Sequence, residues 1–518
     1  MASFEQYPAS RLDSRPVEEY RSTLGALATH LTGTASPPDS VGGAARAFAP
    51  DAAFTGVTMN TALVRPGDLF VAVRGENSHG ARFAGAAHEA GAAAVLTDRE
   101  GAALVPEGLP TLVVDDPRRA AGPATMHLYD DPAAALTTVG ITGTQGKTTT
   151  AFYVAAAAGM QQSGTIGSIG VTVGDDFFPP TLTTPEAPEL HALFAVMREQ
   201  RLCTVAVEAS SHALMLGRVD GFAFDTGVFL NLGHDHRDFH PTQADYFQAK
   251  SILLTPEHAQ RGVVDIDSLW GRTMAEQATV PVTTVSAAGH PADWRAEAIE
   301  LRPDGSSFIV HSPAGEAVPF TTQLTGAFNV NNILAAVAAL SPALPLEQLA
   351  AGIAALPAVE GRLQRFDHGQ PFTAIVDSAH KPEAIAAALS AIRTTAPDTR
   401  IITVLGANGH RDASKRRMMG RFAAMVSDVL IVTDDNPYTD DPALIRAALM
   451  DGARSSHVEI IEIGDRREAI FAAARMARPG DTVAILGKGH ERYHALADGD
   501  IAWYDPDVLR EAIEATLA

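Results

Sequence analysis

The chain has 518 residues, of which 46% are hydrophobic and 19% are charged. This length predicts about three domains, and the composition excludes a wholly disordered chain. Lysine and arginine together number 39 against 61 aspartate and glutamate residues, which gives a formal net charge of −22. Such a negative field argues against nucleic acid and anionic membrane surfaces as partners.

The cysteine content and the amino-terminal residues indicate in which cellular compartment the protein works. Cys203 is the only cysteine, so the chain forms no internal disulfide, as expected in a reducing compartment. The amino-terminal residues show no cationic start followed by an apolar run, and no window reaches about 18 uninterrupted apolar residues. We therefore expect a cytoplasmic protein without membrane insertion.

Apolar, strand-like segments alternate with helix-compatible segments along most of the chain. This alternation predicts an α/β fold in which parallel sheets are covered by helices on both faces. Changes in the pattern of strand-like and helix-compatible segments divide the chain into three units, residues 1–125, 126–357 and 358–518. The second unit contains the strand-like segment TTVGIT, and TAIVDSAH lies near the start of the third.

The first candidate binding motif is the run GITGTQGKTTT, residues 140–150, which lies between a predicted strand and a predicted helix. Glycines at the end of a strand let backbone N–H groups converge on phosphate oxygens, while Lys147 supplies a mobile cation and Thr148 a hydroxyl for Mg²⁺. The spacing departs from the strict phosphate-loop pattern, because Ile141 stands five residues before Gly146. A plain glycine turn is the alternative, but the strand-turn-helix context favours nucleotide binding.

Carboxylate and imidazole groups follow two further predicted strands. Glu208 and His212 lie in EASSHAL, and NLGHDHRDFH, residues 231–240, carries more histidines. Because the carboxyl ends of adjacent parallel strands meet at one edge of a sheet, both segments can reach one metal ion. Oxygen ligands with an occasional imidazole suit Mg²⁺ beside phosphates better than a zinc cage. For any single histidine, a capping or solvated side chain is an equal alternative.

Ten segments, in order, resemble one known family, the Mur ligases, and specifically the UDP-N-acetylmuramoyl-tripeptide synthetases. They are TGTQGKTTT, LTTPEAPEL, EASSHAL, NLGHDHRDFH, GAFNVNN, EGRLQRF, VDSAHKPEAI, GANGHRDASKRRMMG, TDDNPYTDDP and LGKGHERY. The resemblance covers nearly the whole chain. It implies an amino-terminal α/β domain for the UDP-sugar, a central phosphate-loop-type ATPase domain with a parallel sheet, and a carboxyl-terminal Rossmann-like domain for the amino acid.

The resemblance implies ATP-dependent amide synthesis. The γ-phosphoryl group of ATP passes to the carboxylate of UDP-MurNAc-L-Ala-D-Glu, and the amino group of a free amino acid then attacks the acyl phosphate and expels phosphate. Metal ions and lysines must offset the repulsion between the two anions. The implied cofactors are ATP and Mg²⁺, the implied partners are the UDP-linked dipeptide and a free amino acid, and a monomer is expected.

The resemblance also assigns residues to the reaction. The catalytic set is Lys147, Glu208, His236 and Lys250. The nucleotide set is Gly143, Thr144, Gly146, Lys147, Thr148, Thr149, Asn329, Asn332, Arg362 and Asp377, with His380 and Lys415 expected close by. The metal set is Thr148 for a first Mg²⁺ and Glu208, His236 and Lys250 for a second. Lys250 is expected as a carbamate because its spacing from His236 matches the family. Without the family context, an exposed helical lysine would be the expectation for Lys250.

Two substrates are matched to further residues. The set for the UDP-linked dipeptide is Thr183, Thr184, Ser210 and Arg218. The set for the amino acid is Arg411, Asp435, Asn436, Tyr438, Asp440, Gly487 and Glu491. One departure concerns the UDP end, because many family members carry Asp-Ser-Arg where this chain has Asn60, Thr61 and Ala62. The Asp-Ser-Arg at residues 13–15 stands in another context and is interpreted as a coincidence.

A sharper departure is Tyr438. Relatives that add meso-diaminopimelate carry arginine there, whereas a phenol supplies a hydrogen bond but no positive charge. The neighbouring Asp440 and Asp441 would complement a cationic side chain. We therefore expect L-lysine or another diamino acid without a distal carboxylate, with diaminopimelate as the alternative. A neutral, homoserine-like amino acid and a structurally passive Tyr438 also stay open.

Two other classes of function are weighed against this reaction. A paralogous amide ligase, such as a folylpolyglutamate synthetase, is disfavoured because folate enzymes lack the PGDLFVA domain. A nucleotide-dependent scaffold is disfavoured because Lys147, Glu208, His236 and Lys250 are all present. For a ligase, we expect the third unit to close over the second and exclude water from the acyl phosphate.

Overall fold

The computed structural model describes residues 13–32, 48–235, 239–410, 412–454 and 456–517. Within these ranges the chain forms three α/β units along the sequence, each built on a largely parallel sheet. The predicted fold class is therefore confirmed. No helix in the described ranges is long and apolar enough to cross a membrane.

The amino-terminal unit is a four-stranded parallel sheet, ordered β3-β4-β5-β6, beside a two-stranded antiparallel pair. The strand Asp68–Ala72 is buried on both faces: Leu69 and Val71 enter one apolar cluster, Phe70 and Ala72 the other. The elements of the unit are β1 (Ser22–Thr23), α1 (Leu24–Thr32), β2 (Ala53–Phe54), β3 (Gly56–Thr58), β4 (Asp68–Ala72), α2 (Ala84–Glu89), β5 (Ala94–Thr97), α3 (Arg99–Ala102), β6 (Thr111–Val113) and α4 (Pro117–Leu128).

The central unit contains an eleven-stranded sheet in the order β10-β9-β8-β11-β7-β12-β13-β14-β15-β16-β17. Its middle strands, from β8 to β15, are parallel, and both ends are antiparallel. The elements are β7 (Thr137–Thr142), α5 (Lys147–Ala158), β8 (Ser163–Ile166), β9 (Val171–Val173), β10 (Asp176–Phe178), α6 (Ala187–Glu199), β11 (Thr204–Glu208), α7 (Ser211–Met215), β12 (Thr226–Phe229), α8 (Gln243–Ser251), β13 (Gly262–Asp265), α9 (Leu269–Gln277), β14 (Val282–Ser286), β15 (Trp294–Arg302), β16 (Gly305–His311), β17 (Ala317–Thr322), α10 (Ala327–Leu340) and α11 (Leu346–Ala355).

Helices α5 and α10 form the centre of this unit. Nearly every residue of α5 is buried, and α10 is apolar around most of its circumference. Such a pattern is typical of a helix enclosed by a core rather than one lying at a surface. The amino terminus of α5 is therefore fixed at the carboxyl ends of β7, β11 and β12, where a parallel sheet binds its ligands.

The carboxyl-terminal unit has a six-stranded sheet ordered β18-β19-β23-β20-β21-β22, parallel apart from β18. Helices α12 to α14 pack on one face, and α15 and α16 on the other. The elements are β18 (Gln364–Phe366), β19 (Thr373–Asp377), α12 (Pro382–Thr395), β20 (Ile401–Leu405), α13 (Ser414–Val426), β21 (Val429–Val432), α14 (Pro442–Ala453), β22 (Glu459–Glu462), α15 (Arg466–Met476), β23 (Thr482–Leu486), β24 (Tyr493–Leu496), β25 (Gly499–Ala502) and α16 (Asp505–Leu517).

Of the two predicted domain boundaries, the first falls within a helix and the second falls in an irregular segment. Helix α4 runs through residues 125 and 126, and its end packs with Ala192 and Ala195 of α6 in one core. The segment between α11 and β18 contains the second predicted boundary. The first two units are thus joined by a shared helix, whereas the second and third are joined by an irregular linker.

Candidate active site

A tight turn joins β7 to α5 at the carboxyl edge of the central sheet. Gly146 ends this turn with a φ of +87°, and a Cβ there would lie 2.5 Å from Oδ1 of Asn332. Glycine is required because both the left-handed backbone and the close approach exclude a side chain. Oδ1 of Asn231, which follows β12, accepts hydrogen bonds from the backbone N–H groups of Thr144 at 3.1 Å and Gln145 at 3.0 Å. The turn therefore directs the positive end of the α5 dipole toward the cavity.

Two lysines, the buried Lys250 and the partly buried Lys147, converge on one backbone carbonyl of this turn. Nζ of Lys147 donates to the oxygen of Gly143 at 2.9 Å, and Nζ of Lys250 donates to the same oxygen at 3.0 Å. Burial lowers the pKa of Lys147 to about 8. Burial, together with the charge of Lys147, holds the pKa of Lys250 well below its ordinary value. The site therefore favours the neutral amine of Lys250.

Three oxygen-bearing side chains meet where α5 begins: Thr148, Ser168 and Glu208. Oγ1 of Thr148 lies 3.1 Å from Oγ of Ser168, and Oε1 of Glu208 accepts a hydrogen bond from the backbone N–H of Ser168 at 2.9 Å. Gly167 makes room for the carboxylate, because a Cβ there would lie 2.1 Å from Oε1 of Glu208. Hydroxyl and carboxylate oxygens are the ligands that Mg²⁺ prefers, so this cluster fits the predicted ion.

The third unit reaches the same cluster through Arg362. Its Nη2 donates to Oγ1 of Thr148 at 2.9 Å and to Oγ of Ser168 at 3.3 Å. Nε2 of His490 lies 3.1 Å from the backbone oxygen of Ser168. Asp377 accepts the backbone N–H that follows Arg362 at 2.7 Å, and burial raises the pKa of Asp377. The carboxylate of Asp377 thus fixes the segment that presents the guanidinium.

A second contact between the same units centres on Asp235, which follows β12. Its buried carboxylate pairs with Lys381 and lies 3.3 Å from Nζ of Lys415, both in the third unit. His380, next to Lys381, lines the cavity. The third unit therefore lies closed over the phosphate turn in this structure.

The four residues predicted to hold the UDP-linked dipeptide lie together beside Glu208. Oγ1 of Thr184 donates to the backbone oxygen of Glu208 at 2.6 Å and accepts the N–H of Ser210 at 3.2 Å. Nη1 of Arg218 donates to the backbone oxygen of Thr184 at 3.3 Å. Thr183 lines the cavity with Ser210 and Arg218. This group therefore adjoins the oxygen cluster, as an acceptor site for a phosphoryl group requires.

One cavity of about 1330 Å³ runs between the central and third units. Its lining contains most of the predicted nucleotide set: Thr144, Gly146, Lys147, Thr148, Thr149, Asn329, Asn332, Arg362 and Asp377. Gly143, Lys250 and Thr184 lie behind this lining. The two asparagines are linked, since Nδ2 of Asn332 donates to Oδ1 of Asn329 at 2.9 Å.

The predicted amino-acid residues are divided between the lining and the interior behind it. Glu491 lines the cavity, and its Oε2 accepts a hydrogen bond from Nδ2 of Asn436 at 2.8 Å. Burial raises the pKa of Glu491, and the nearby charge of Asp435 adds to this. Lys488 is fully buried behind them, 3.3 Å from Oδ1 of Asp435. Gly487 has a φ of +117°, which lets the chain pass close to Asp435.

The surroundings of Tyr438 weaken the electrostatic argument for a cationic amino acid. Nη2 of Arg416 donates to Asp440 at 2.8 Å, and Asp441 accepts the N–H of residue 443 as the amino-terminal cap of α14. Both acidic groups are thus engaged within the third unit. Tyr438 stacks on His410 with ring centroids 5.3 Å apart and planes 10° apart, and both residues have φ near +50°.

Two predicted residues, His236 and Arg411, lie outside the described residues, so their assigned roles stay predictions. Among the described residues, no group of three or more histidine, cysteine, aspartate and glutamate side chains could hold a metal ion. The ligands that can be placed are the oxygens of Thr148 and Glu208 and the amine of Lys250.

Ser168, Lys381 and Lys488 are among the site residues that the sequence prediction does not name. Ser168 follows β8, which pairs with β11, so the sheet order would have placed it beside Glu208. Lys381 precedes α12 and Lys488 follows β23, each at the carboxyl end of a strand or its loop. Their signal is position in a parallel sheet, which becomes visible only when the strand order is known.

Such a site, lying between the second and third of three consecutive α/β units, indicates a class of ligase. Residues 53–129 match the Mur ligase family catalytic domain, residues 141–340 the Mur ligase middle domain, and residues 361–489 the Mur ligase glutamate ligase domain. The chain belongs to the Mur ligase family. It is an ATP-dependent, amide-forming ligase, and the predicted cofactors ATP and Mg²⁺ are those of this family.

Particular relatives narrow the class. A Streptomyces coelicolor protein named UDP-N-acetylmuramoyl-L-alanyl-D-glutamate--2,6-diaminopimelate ligase is 46% identical over 512 residues, covering 97% of this chain and 98% of that protein. A Leifsonia xyli protein named UDP-N-acetylmuramyl-tripeptide synthetase is 40% identical, covering 89% and 91%. A solved structure of a UDP-N-acetylmuramoyl-L-alanyl-D-glutamate--2,6-diaminopimelate ligase has 28% identity and a TM-score of 0.65, covering 96% of this chain and all of that one.

Proposed function

We propose that this protein joins a diamino acid, as the third amino acid, to UDP-MurNAc-L-Ala-D-Glu, with conversion of ATP to ADP and phosphate. One observation carries the proposal: Thr184 of the candidate peptide site bonds the backbone of Glu208 at 2.6 Å, while the Glu208 side chain belongs to the cluster that Arg362 reaches. A peptide carboxylate and a nucleotide phosphate would therefore share one cavity.

The proposed reaction divides into two transfers. A carboxylate oxygen of the dipeptide attacks the γ-phosphorus, the bond to the β-phosphate oxygen breaks, and ADP leaves. The amine of the incoming amino acid then attacks the carbonyl carbon, phosphate leaves with the former carboxylate oxygen, and the amine loses a proton. Lys147 and Arg362 offset the charge of the phosphates, and Arg218 orients the dipeptide.

The metal site is proposed to be completed by carbamylation of Lys250. The neutral amine adds to CO₂ and releases a proton, which converts a cation into an anion that can bind Mg²⁺. The depressed pKa of Lys250 supports this step, because a protonated amine cannot attack CO₂. Glu208 and His236 would supply the other ligands of this ion, and Thr148 would bind the Mg²⁺ beside the phosphates. When bound, Mg²⁺ neutralises phosphate charge during transfer.

The identity of the diamino acid has two candidates. Diaminopimelate is supported by the names of relatives that are 46% identical. L-lysine, expected from the sequence, is favoured by Tyr438, which supplies no positive charge for a distal carboxylate. Asp440 gives little support for a cationic amino acid, because Arg416 already pairs with it. Diaminopimelate is therefore the first candidate, and L-lysine the second.

The deciding experiment measures ADP release and product mass with UDP-MurNAc-L-Ala-D-Glu and a panel of diaminopimelate, L-lysine and L-ornithine. We expect ADP release only when both the dipeptide and a diamino acid are present. Glu208→Gln is the inactive control. ADP release without dependence on the dipeptide would overturn the proposed function, and activity with lysine alone would select the second candidate.

The remaining predictions concern the state of the protein. We propose that it works as a monomer in the cytoplasm, where ATP and UDP-linked precursors are formed. Size-exclusion chromatography with light scattering tests the first statement, and fractionation of the source cells tests the second. A stable dimer at micromolar concentration would contradict the monomer.

A further inference from the structure

A buried carboxylate marks an unusual junction in the amino-terminal unit. Asp68, at the start of β4, is 1% exposed, and a buried carboxylate needs a charged or hydrogen-bonding partner. Arg15 supplies one from the segment before α1. Its Nη1 lies 2.7 Å from Oδ1 of Asp68, and its Nη2 lies 2.9 Å from Oδ2. This fork-shaped pair is the strong geometry for an arginine and a carboxylate.

The same guanidinium reaches the turn where the family motif is missing. Nη2 of Arg15 also donates to the backbone oxygen of Leu63 at 2.9 Å. Leu63 ends the short helix Thr61–Leu63, which contains Ala62, the position of the motif arginine in many relatives. From the sequence alone, Asp-Ser-Arg at residues 13–15 is interpreted as a coincidence. The structure brings the guanidinium of Arg15, from another part of the chain, to the backbone of Leu63, the residue after Ala62.

A second ion pair locks the segment in place. Both terminal nitrogens of Arg65 lie 2.8 Å from the carboxylate of Asp13, and this guanidinium lowers the pKa of Asp13. The backbone N–H of Arg65 donates to Oδ2 of Asp68 at 2.8 Å. Two arginines and two aspartates therefore interlock, and residues 13–15 are fastened to the turn before β4.

The continuation of this segment is fastened to the central unit. The backbone N–H groups of Val17 and Glu18 donate to the carboxylate of Glu199 at 2.9 and 2.8 Å. Nη2 of Arg198 donates to the hydroxyl of Tyr20 at 2.8 Å. Glu199 and Arg198 close helix α6, which begins just after the candidate peptide-site residues 183 and 184. Residues 13–20, here called the N-terminal strap, thus connect the turn before β4 to α6.

We propose that the N-terminal strap sets the orientation of the amino-terminal unit on the central unit, with Arg15 as its positioning residue. A substrate bound to both units depends on their relative orientation, and small misplacements are costly. The UDP-linked dipeptide is such a substrate if the proposed function holds, on which this inference rests. The candidate nucleotide cavity lies at the other junction, between the central and third units. Loss of the strap should therefore weaken use of the UDP-linked dipeptide and leave ATP unaffected.

The test uses the full chain and compares the two ends of the strap. Arg15→Ala removes the anchor on the amino-terminal unit, and Glu199→Ala removes the anchor on α6 without touching Asp68. We expect each variant to raise the KM for UDP-MurNAc-L-Ala-D-Glu about tenfold, while the KM for ATP changes less than about twofold. Arg15→Lys should recover part of the loss, because it keeps the charge but not the fork. Arg74→Ala, which removes an exposed ion pair with Glu100 in the same unit, is the matched control and should change neither KM.

Hydrogen exchange provides a readout that does not depend on activity. Glu199→Ala should speed exchange where α4 packs on α6 and leave the packing of α13 on α14 unchanged. An unchanged KM and unchanged exchange in Glu199→Ala would overturn the inference, as would equal rises in both KM values. If wild-type protein releases no ADP with the dipeptide, the proposed function fails, and the exchange result alone then supports or overturns the strap.

Discussion

The two ends of the cavity are built in different ways. At the phosphate end, Lys147 and Lys250 donate to one backbone carbonyl, and a glycine turn allows no side chain at residue 146. At the amino-acid end, His410 and Tyr438 stack at the ends of two loops, both with left-handed backbone conformations. The first arrangement is fixed by the central sheet and a buried helix, and the second depends on loop side chains.

This difference separates the chemistry from the choice of substrate. At the phosphate end, few other residues can replace the groups present, because moving one backbone carbonyl or buried charge leaves another buried polar group without a partner. Side chains on loops can be exchanged with smaller cost to the fold. Substitutions at the phosphate end should therefore abolish the reaction, whereas substitutions at the amino-acid end should shift which amino acid reacts.

The largest effect is expected for Lys147→Met. The change removes the cation of the phosphate turn, so kcat/KM for ATP should fall about 10³-fold in an ADP-release assay. Folding should survive, because the variant removes a buried charge rather than leaving one unpaired, and the thermal midpoint serves as the control. In wild-type protein, the KM for ATP should rise above pH 8, since the pKa of Lys147 is about 8 and the ammonium is lost there. If the variant kept its activity, Lys147 and the turn that carries it would not be the phosphate-binding site.

The second effect concerns Lys250→Ala, for which we expect about a 10²-fold loss of kcat, as for other single electrostatic groups in active sites. Lys250→Arg is the matched control. It keeps a cation but cannot form the carbamate, so it should be equally inactive. Added formate or acetate should restore part of the activity of Lys250→Ala by supplying the missing carboxylate. Full activity in Lys250→Arg, or no carbamate carbon signal after labelling wild-type protein with ¹³C-bicarbonate, would rule out the modification.

A smaller effect is expected at the junction that closes the cavity. Asp235→Asn removes the charge that pairs with Lys381 and Lys415, so the third unit should close less completely. We expect kcat/KM for ATP to fall about tenfold, which corresponds to a coupling near 1.4 kcal/mol. Asp451→Asn, at an exposed pair with Arg417, is the control and should behave as wild type. Small-angle scattering should show a more open variant, and an unchanged profile with unchanged kinetics would mean that Asp235 does not hold the units together.

The sequence predicts the features that depend on neighbouring residues and does not predict those that depend on contacts between distant segments. The phosphate turn was found because Gly146, Lys147 and Thr148 are neighbours in the chain, and the α/β fold because strand and helix patterns are local. Ser168 was missed because its relation to Glu208 arises only from the pairing of β8 with β11. The contacts of Arg15 could not be predicted for the same reason, since its partner Asp68 lies far along the sequence. Local patterns carry the chemistry of the turn, whereas contacts across the sheet and between units need the fold.

An effect of similar size is expected for Tyr438→Arg, which tests the amino-acid end. The variant adds a positive charge beside the rim formed with His410, so the ratio of kcat/KM for diaminopimelate to that for L-lysine should rise about tenfold, equivalent to one charge-assisted hydrogen bond. Tyr438→Phe keeps the stacked ring and loses only the hydroxyl, which hydrogen-bonds Tyr493, so no charge changes and its ratio should stay within about twofold of wild type. ATP use should be the same in all three proteins, because Tyr438 lies behind the lining of the nucleotide cavity. An unchanged ratio in Tyr438→Arg would show that residue 438 is passive and that selection rests with Glu491 and its neighbours.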